Sequence, residues 1–130
     1  MYPDTPAGER QLTELDFARL TRLGGGQLPE ELHCADLVPS REIGPDIVTM
    51  YSQVEIVFPD SGLRQKLTLC YPADAEPVLG MISALSPLGT ALLGLRVGAT
   101  ACWRLPNGEA RAAEVVAILF QPEASGDYLT

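Results

Sequence analysis

Ile82-Ser83-Ala84-Leu85-Ser86-Pro87-Leu88-Gly89-Thr90-Ala91-Leu92-Leu93-Gly94 is the stretch on which the fold turns. Ser86 has the chemistry of a helix N-cap, and Pro87 behind it suits the first helical position, where no backbone donor is needed. Leu88, Ala91, Leu92 and Leu95 share one apolar face at helical spacing. Gly94 or Gly98 supplies a stop. A short helix with one apolar face needs a sheet to lie on, and both flanks provide strands.

Upstream, Val48, Met50, Val54, Ile56 and Phe58 alternate with Thr49, Gln53 and Glu55, which predicts one half-buried strand from Ile47 onward. Pro59-Asp60-Ser61-Gly62 is turn chemistry. Leu63, Leu67, Leu69 and Tyr71 alternate with Arg64, Lys66 and Thr68 and form the returning strand. Met81 to Leu85 reads as a short third strand. Downstream, Thr100–Leu105 and Ala110–Gln121 read as strands joined at Asn107-Gly108, a strong hairpin signal. The run from Glu114 to Phe120 is apolar on both faces, which places it inside the sheet.

The N-terminal third is different. Residues 1–11 are polar, with two prolines. Thr13 and Asp16 have capping-box spacing, and Leu12, Leu15, Leu20 and Leu23 fall on one helical side. Gly24-Gly25-Gly26 ends that helix after about ten residues, or roughly 15 Å. Pro29 starts a second helix, Glu30 to about Leu37, and Pro39 stops it. The pattern is a stunted helical hairpin. The expected division is therefore 1–45, a polar N-terminus with the hairpin, and 46–130, a sheet domain able to fold without residues 1–37.

Composition narrows the function. The chain has 130 residues, 46% of them hydrophobic, and a formal net charge of −8. Residues 1–46 hold nine acids against four arginines. Direct, sequence-specific nucleic-acid binding needs the opposite sign, because Lys and Arg must displace phosphate counterions. The apolar run Val115–Phe120 is too short to span a bilayer, and MYPDTPAGER has no secretory pattern. A cytoplasmic protein with no membrane contact is expected. Cys34, Cys70 and Cys102 form no C-x-x-C pair, and His33-Cys34 is the one adjacent metal-capable pair, so neither a metal nor another cofactor is expected. Cys70 and Cys102 read as small buried hydrophobes.

The 82–94 stretch resembles the hallmark of the C-terminal domain of Gre transcript-cleavage factors. Asp46-Ile47-Val48-Thr49-Met50, Ala91-Leu92-Leu93-Gly94-Leu95-Arg96-Val97-Gly98 and Gln121-Pro122-Glu123-Ala124-Ser125-Gly126-Asp127-Tyr128-Leu129 resemble the branch of that family called regulators of nucleoside diphosphate kinase. Similarity covers roughly residues 40–130 well and 12–37 loosely. The resemblance implies an α+β, FKBP-like fold, an antiparallel sheet packed on one helix, with a short N-terminal helical hairpin. It implies RNA polymerase as the partner, held through the C-terminal domain near the secondary channel. In cleavage factors a long coiled coil carries acidic tip residues that help position the polymerase's catalytic magnesium. The regulator branch has a shorter coiled coil and is expected to bind without stimulating cleavage.

Two departures matter. The turn from Gly24 to Leu28 has no carboxylate, so Glu30 and Glu31 are the candidate tip acids. A carboxylate must come within about 2.1 Å of magnesium to ligate it, and a helix this short cannot deliver one down a long channel. Glu30 and Glu31 equally suit a helix N-terminus, where acids favour the dipole. Where many cleavage factors carry Asp or Asn before the Ser-Pro, this chain has Leu85. The candidate polymerase contact is Leu85, Ser86, Pro87, Leu88 and Gly89, with Leu88 also fitting the core. Other readings are a generic interaction module for another cytoplasmic partner and an FKBP-like prolyl isomerase. The latter needs an aromatic-lined pocket, and Trp103 reads as core instead. His33 lies away from any nucleophile motif, so no catalytic residue is assigned. Nothing in the residues argues for direct contact with nucleoside diphosphate kinase.

Overall fold

A computed structural model of the chain describes residues 10–24, 32 and 35–128. The fold is α+β, with a curled five-stranded sheet and few helices. In chain order the main elements are β1 (Gln11–Thr13), α1 (Glu14–Leu23), β2 (Asp36–Val38), β3 (Gln53–Val57), β4 (Arg64–Cys70), β5 (Met81–Ser83), α2 (Pro87–Leu92), β6 (Thr100–Arg104) and β7 (Ala110–Phe120). The main sheet has the order β5-β4-β3-β7-β6, and β1 and β2 form a separate two-stranded pair.

The local signals at both ends of the sheet hold. Gly108 N donates to Leu105 O at 2.8 Å, closing the turn between antiparallel β6 and β7. β7 lies inside the sheet, paired on both sides. Its register on β3 shifts at two places, which adds twist to the ladder. Leu119 and Phe120 at its end are nonetheless about half exposed.

Four expectations need correction. The predicted strand from Ile47 is two pieces. Val48 N donates to Leu95 O and Gly94 N to Val48 O, so this segment pairs with the chain after α2. The backbone then turns at Thr49–Ser52, with Tyr51 in the left-handed region at φ 63°, and only Gln53–Val57 joins the ladder. The break is chemical: Ser52 Oγ accepts from Thr49 N at 2.9 Å, a side-chain bond that replaces a ladder bond.

The sheet is also not wholly antiparallel. β5 runs parallel to the last three residues of β4, with Leu69 opposite Ile82, because single helical turns at Pro72–Asp74 and Pro77–Leu79 carry the chain back alongside that edge. The predicted second helix cannot reach Leu37, since Asp36–Val38 pairs as a strand with β1. Glu30, Glu31, His33, Cys34 and most of the expected hairpin turn lie outside the described residues. Finally, α1 keeps its predicted length and its Thr13 cap, and Gly24 ends it. Its buried face, however, is Asp16 and Leu20, while Leu23 is exposed.

One core serves the described chain. Leu12, Leu20 and Leu32 from the N-terminal third join Val48, Met50, Val54, Ile56, Leu67, Leu69, Leu92, Leu93, Leu95 and Val115. Cys70 is buried and Cys102 half-buried. Trp103 packs against this core edge-on to Phe58, at 6.4 Å between ring centroids. Among the described residues no helix is long and apolar enough to cross a membrane, and no three His, Cys, Asp or Glu cluster as metal ligands.

Candidate docking corner

The chain leaves β5 at Ser83 and enters α2 at Pro87, and the three residues between them form a tight corner. Ser86 holds it from both sides. Its hydroxyl donates to Ser83 O at 2.7 Å and accepts from Gly89 N at 3.1 Å, while Ser86 N donates to Ser83 O at 3.1 Å. The N-cap is therefore also a tether to the edge strand. Leu85 N donates to Ser83 Oγ at 3.1 Å, and Thr90 Oγ1 donates to Ala84 O at 3.0 Å. None of residues 84–89 is ionisable, so the corner carries no charge of its own.

Gly89 is buried against this corner. A Cβ at that position would lie 1.9 Å from Ser83 O and 2.8 Å from the Ala84 Cα. The helix packs on the strand exit through bare backbone, so Gly89 sets the shape of the corner and offers no surface to a partner. Leu85 and Leu88 are half-buried and pack on the core. Pro87 is exposed and Ser86 is partly so. The five residues singled out from the sequence all lie in this corner, with Pro87 exposed and Leu85 and Leu88 half-buried.

Sequence reasoning missed two features. At the other end of β5, Val78 is 97% exposed and Leu79 72%. Their signal was an apolar pair within Pro77–Gly80, a turn. The second is a buried polar cluster beneath α1. Thr49 Oγ1 donates to Glu123 Oε1 at 2.7 Å and lies 2.8 Å from Ser52 Oγ. Met50 N donates to Asp16 Oδ2 at 3.3 Å, which ties the start of α1 to the turn before β3. Asp16 is 1% exposed.

Burial pushes the Asp16 carboxyl up to about 6, and the Glu123 charge adds to the rise; bonds from Met50 and Thr13 and the charge of Arg19 oppose it. Burial raises Glu123 as well, against its bond from Thr49. An acid whose pKa is higher folded than unfolded stabilises the fold below its unfolded value, and loses that contribution as pH rises through the folded value. Moving Asp16 from 3.8 to about 6 corresponds to roughly 3 kcal/mol lost between acid and neutral pH. Asp16→Asn retains an acceptor for Met50 without the charge. Its thermal midpoint is expected to match wild type at pH below the unfolded value, to pull ahead as pH rises from about 4 to about 6, and to keep a constant lead above that. Parallel unfolding curves across that range would show that Asp16 ionises freely in the fold.

Comparison with known proteins places this geometry. The family described as "Transcription elongation factor, GreA/GreB, C-term" matches residues 43–120. The chain is 42% identical over 102 residues to a "Regulator of nucleoside diphosphate kinase" of Escherichia coli (strain K12), covering 78% of this chain and 75% of that one. It is 42% identical over 86 residues to a "Transcription elongation factor GreA" of Solidesulfovibrio magneticus, covering 65% of this chain and 52% of the relative, about half its length. A solved structure, "Prokaryotic transcription elongation factor GreA/GreB from Nitrosomonas europaea", superposes with a TM-score of 0.69 at 32% identity, covering 89% of this chain and all of that one.

Proposed function

Since the chain belongs to the GreA/GreB C-terminal family and is similar over most of its length to a regulator of nucleoside diphosphate kinase, we propose that it is a transcription regulator that docks on RNA polymerase near the secondary channel and does not stimulate transcript cleavage. Docking runs through an FKBP-like unit, residues 46–130, with the apolar corner at Leu85–Leu88 as the contact. The N-terminal third contributes a short arm that contains α1. The protein acts by occupying its site and carries no catalytic group of its own.

The observation that carries the second half of this reading is the length of α1. It has ten residues and ends at Gly24, so it extends about 15 Å at 1.5 Å per residue. Delivering a carboxylate to a magnesium ion deep in a channel requires contact within about 2.1 Å. An arm of this size falls short of that task while leaving the docking unit intact. The charge of −8 also supports contact through protein rather than nucleic acid.

The test is a backtracked elongation complex with magnesium present. RNA cleavage is expected to proceed at the polymerase's own rate when the protein is added, and GreA-stimulated cleavage is expected to slow as the two compete. Cleavage faster than the polymerase's own rate would overturn the proposal.

A further inference from the structure

We propose that Arg10 is a positioning residue that couples the N-terminal arm to the docking corner through α2. This rests on the docking role given above to Leu85–Leu88, though the coupling itself is a property of the free protein. Arg10 is 5% exposed. Its Nη1 donates to Thr90 O at 3.0 Å, Ala91 O at 3.1 Å and Leu93 O at 2.8 Å. These carbonyls lie at the C-terminal end of α2, whose other end is the Ser86 cap.

A helix leaves its last four carbonyls without intrahelical partners. In α2, Leu93 N satisfies Gly89 O and Leu95 N satisfies Leu92 O. Arg10 supplies donors to Thr90 O and Ala91 O between them and to Leu93 O just beyond, from a position remote in sequence. Its positive charge also opposes the partial negative charge of the helix end. A six-residue helix has little stability of its own, so its placement depends on its two caps: Ser86 at the corner and Arg10 from the arm.

The neighbouring backbone makes the link rigid. Gln11 N donates to Gly94 O at 3.1 Å, and Asp36 N donates to Arg10 O at 2.9 Å. Gly94 sits at φ +86°, and a Cβ there would lie 2.9 Å from Gln11 O. Arg10 therefore lies where β1, β2 and the end of α2 meet, and α1 starts directly after β1. A displacement of the corner moves α2 as a body and pulls on this junction. A displacement of the arm pulls the other way. Coupling of this kind is reciprocal.

The test is a double-mutant cycle read by amide hydrogen exchange in the free full-length protein. Ser86→Ala loosens the corner cap. With Arg10 present it is expected to speed exchange of residues 11–23 by about fivefold, the lower range of energetic couplings between sites, while β3 and β4 amides stay unchanged. With Arg10→Met the arm exchanges faster from the outset, and Ser86→Ala adds less than about twofold. Arg10→Lys, which keeps a charged donor, is expected to restore the coupling. If Arg10→Met does not fold, Arg10→Gln is read in its place. Equal effects of Ser86→Ala in both backgrounds, or exchange that rises uniformly across the sheet, would overturn the coupling. Because no polymerase is present, failure of the docking proposal would leave this result standing, and the reverse.

Discussion

Gly89→Ala is expected to lower the thermal midpoint by about 10 °C, the shift that roughly 3 kcal/mol produces in a domain of this size. At an ordinary helical position the same change stabilises by up to about 1 kcal/mol, because alanine is the better helix former. Here the added methyl meets Ser83 O at 1.9 Å and the Ala84 Cα at 2.8 Å. Both atoms are backbone, so no rotamer change relieves the overlap. Either α2 moves away from the strand exit or β5 does, and overpacking of this kind costs about 1–3 kcal/mol or more. Moving α2 also disturbs the Ser86 hydroxyl bridge and the Arg10 contacts, so the cost spreads through the corner. Differential scanning fluorimetry against wild type checks it. A midpoint that is unchanged or higher would mean that the helix does not approach the strand so closely.

Leu85→Asp is expected to weaken binding to RNA polymerase at least tenfold, equivalent to about 1.4 kcal/mol. Interfaces draw most of their energy from a few anchors, each worth about 1–4 kcal/mol on truncation. Leu85 combines an outward part with packing on the core, so the variant also loses some stability, and unfolding must be measured on the same sample. Pro87→Asp separates the two effects. Pro87 is exposed at the first position of α2, where an acid suits the helix dipole. That variant should keep its midpoint and still lose about tenfold in affinity. Unchanged affinity in both folded variants would remove the corner from the interface.

What the sequence made legible was local chemistry. Ser86 caps and Pro87 starts a helix because both act within a few residues, and Asn107-Gly108 turns β6 into β7 for the same reason. Thr13 also caps α1 as its spacing suggests, accepting from Asp16 N at 3.0 Å. The Asp16 side chain was misleading. The box pattern would have it serve the cap alone, and it also reaches inward to accept from Met50 N. No local pattern announces a carboxylate that accepts from the turn before β3 and faces the charge of Glu123 beyond β7. Arg10 was invisible for the same reason: its three acceptors are about 80 positions away. The parallel pairings of β1 with β2 and β4 with β5 are likewise set by long-range contacts of three residue pairs each, too few to leave a periodic trace. Val48 and Met50 did alternate as a strand would, but Thr49 and Ser52 diverted the backbone between them.

The measurement that bears most directly on polymerase docking is competition. Fluorescently labelled GreA is bound to core RNA polymerase, and this protein is titrated in at fixed salt. Displacement of the labelled factor, saturating within about a hundredfold excess and weakened by Pro87→Asp, is the predicted result. A GreA signal that stays constant throughout the titration would contradict it.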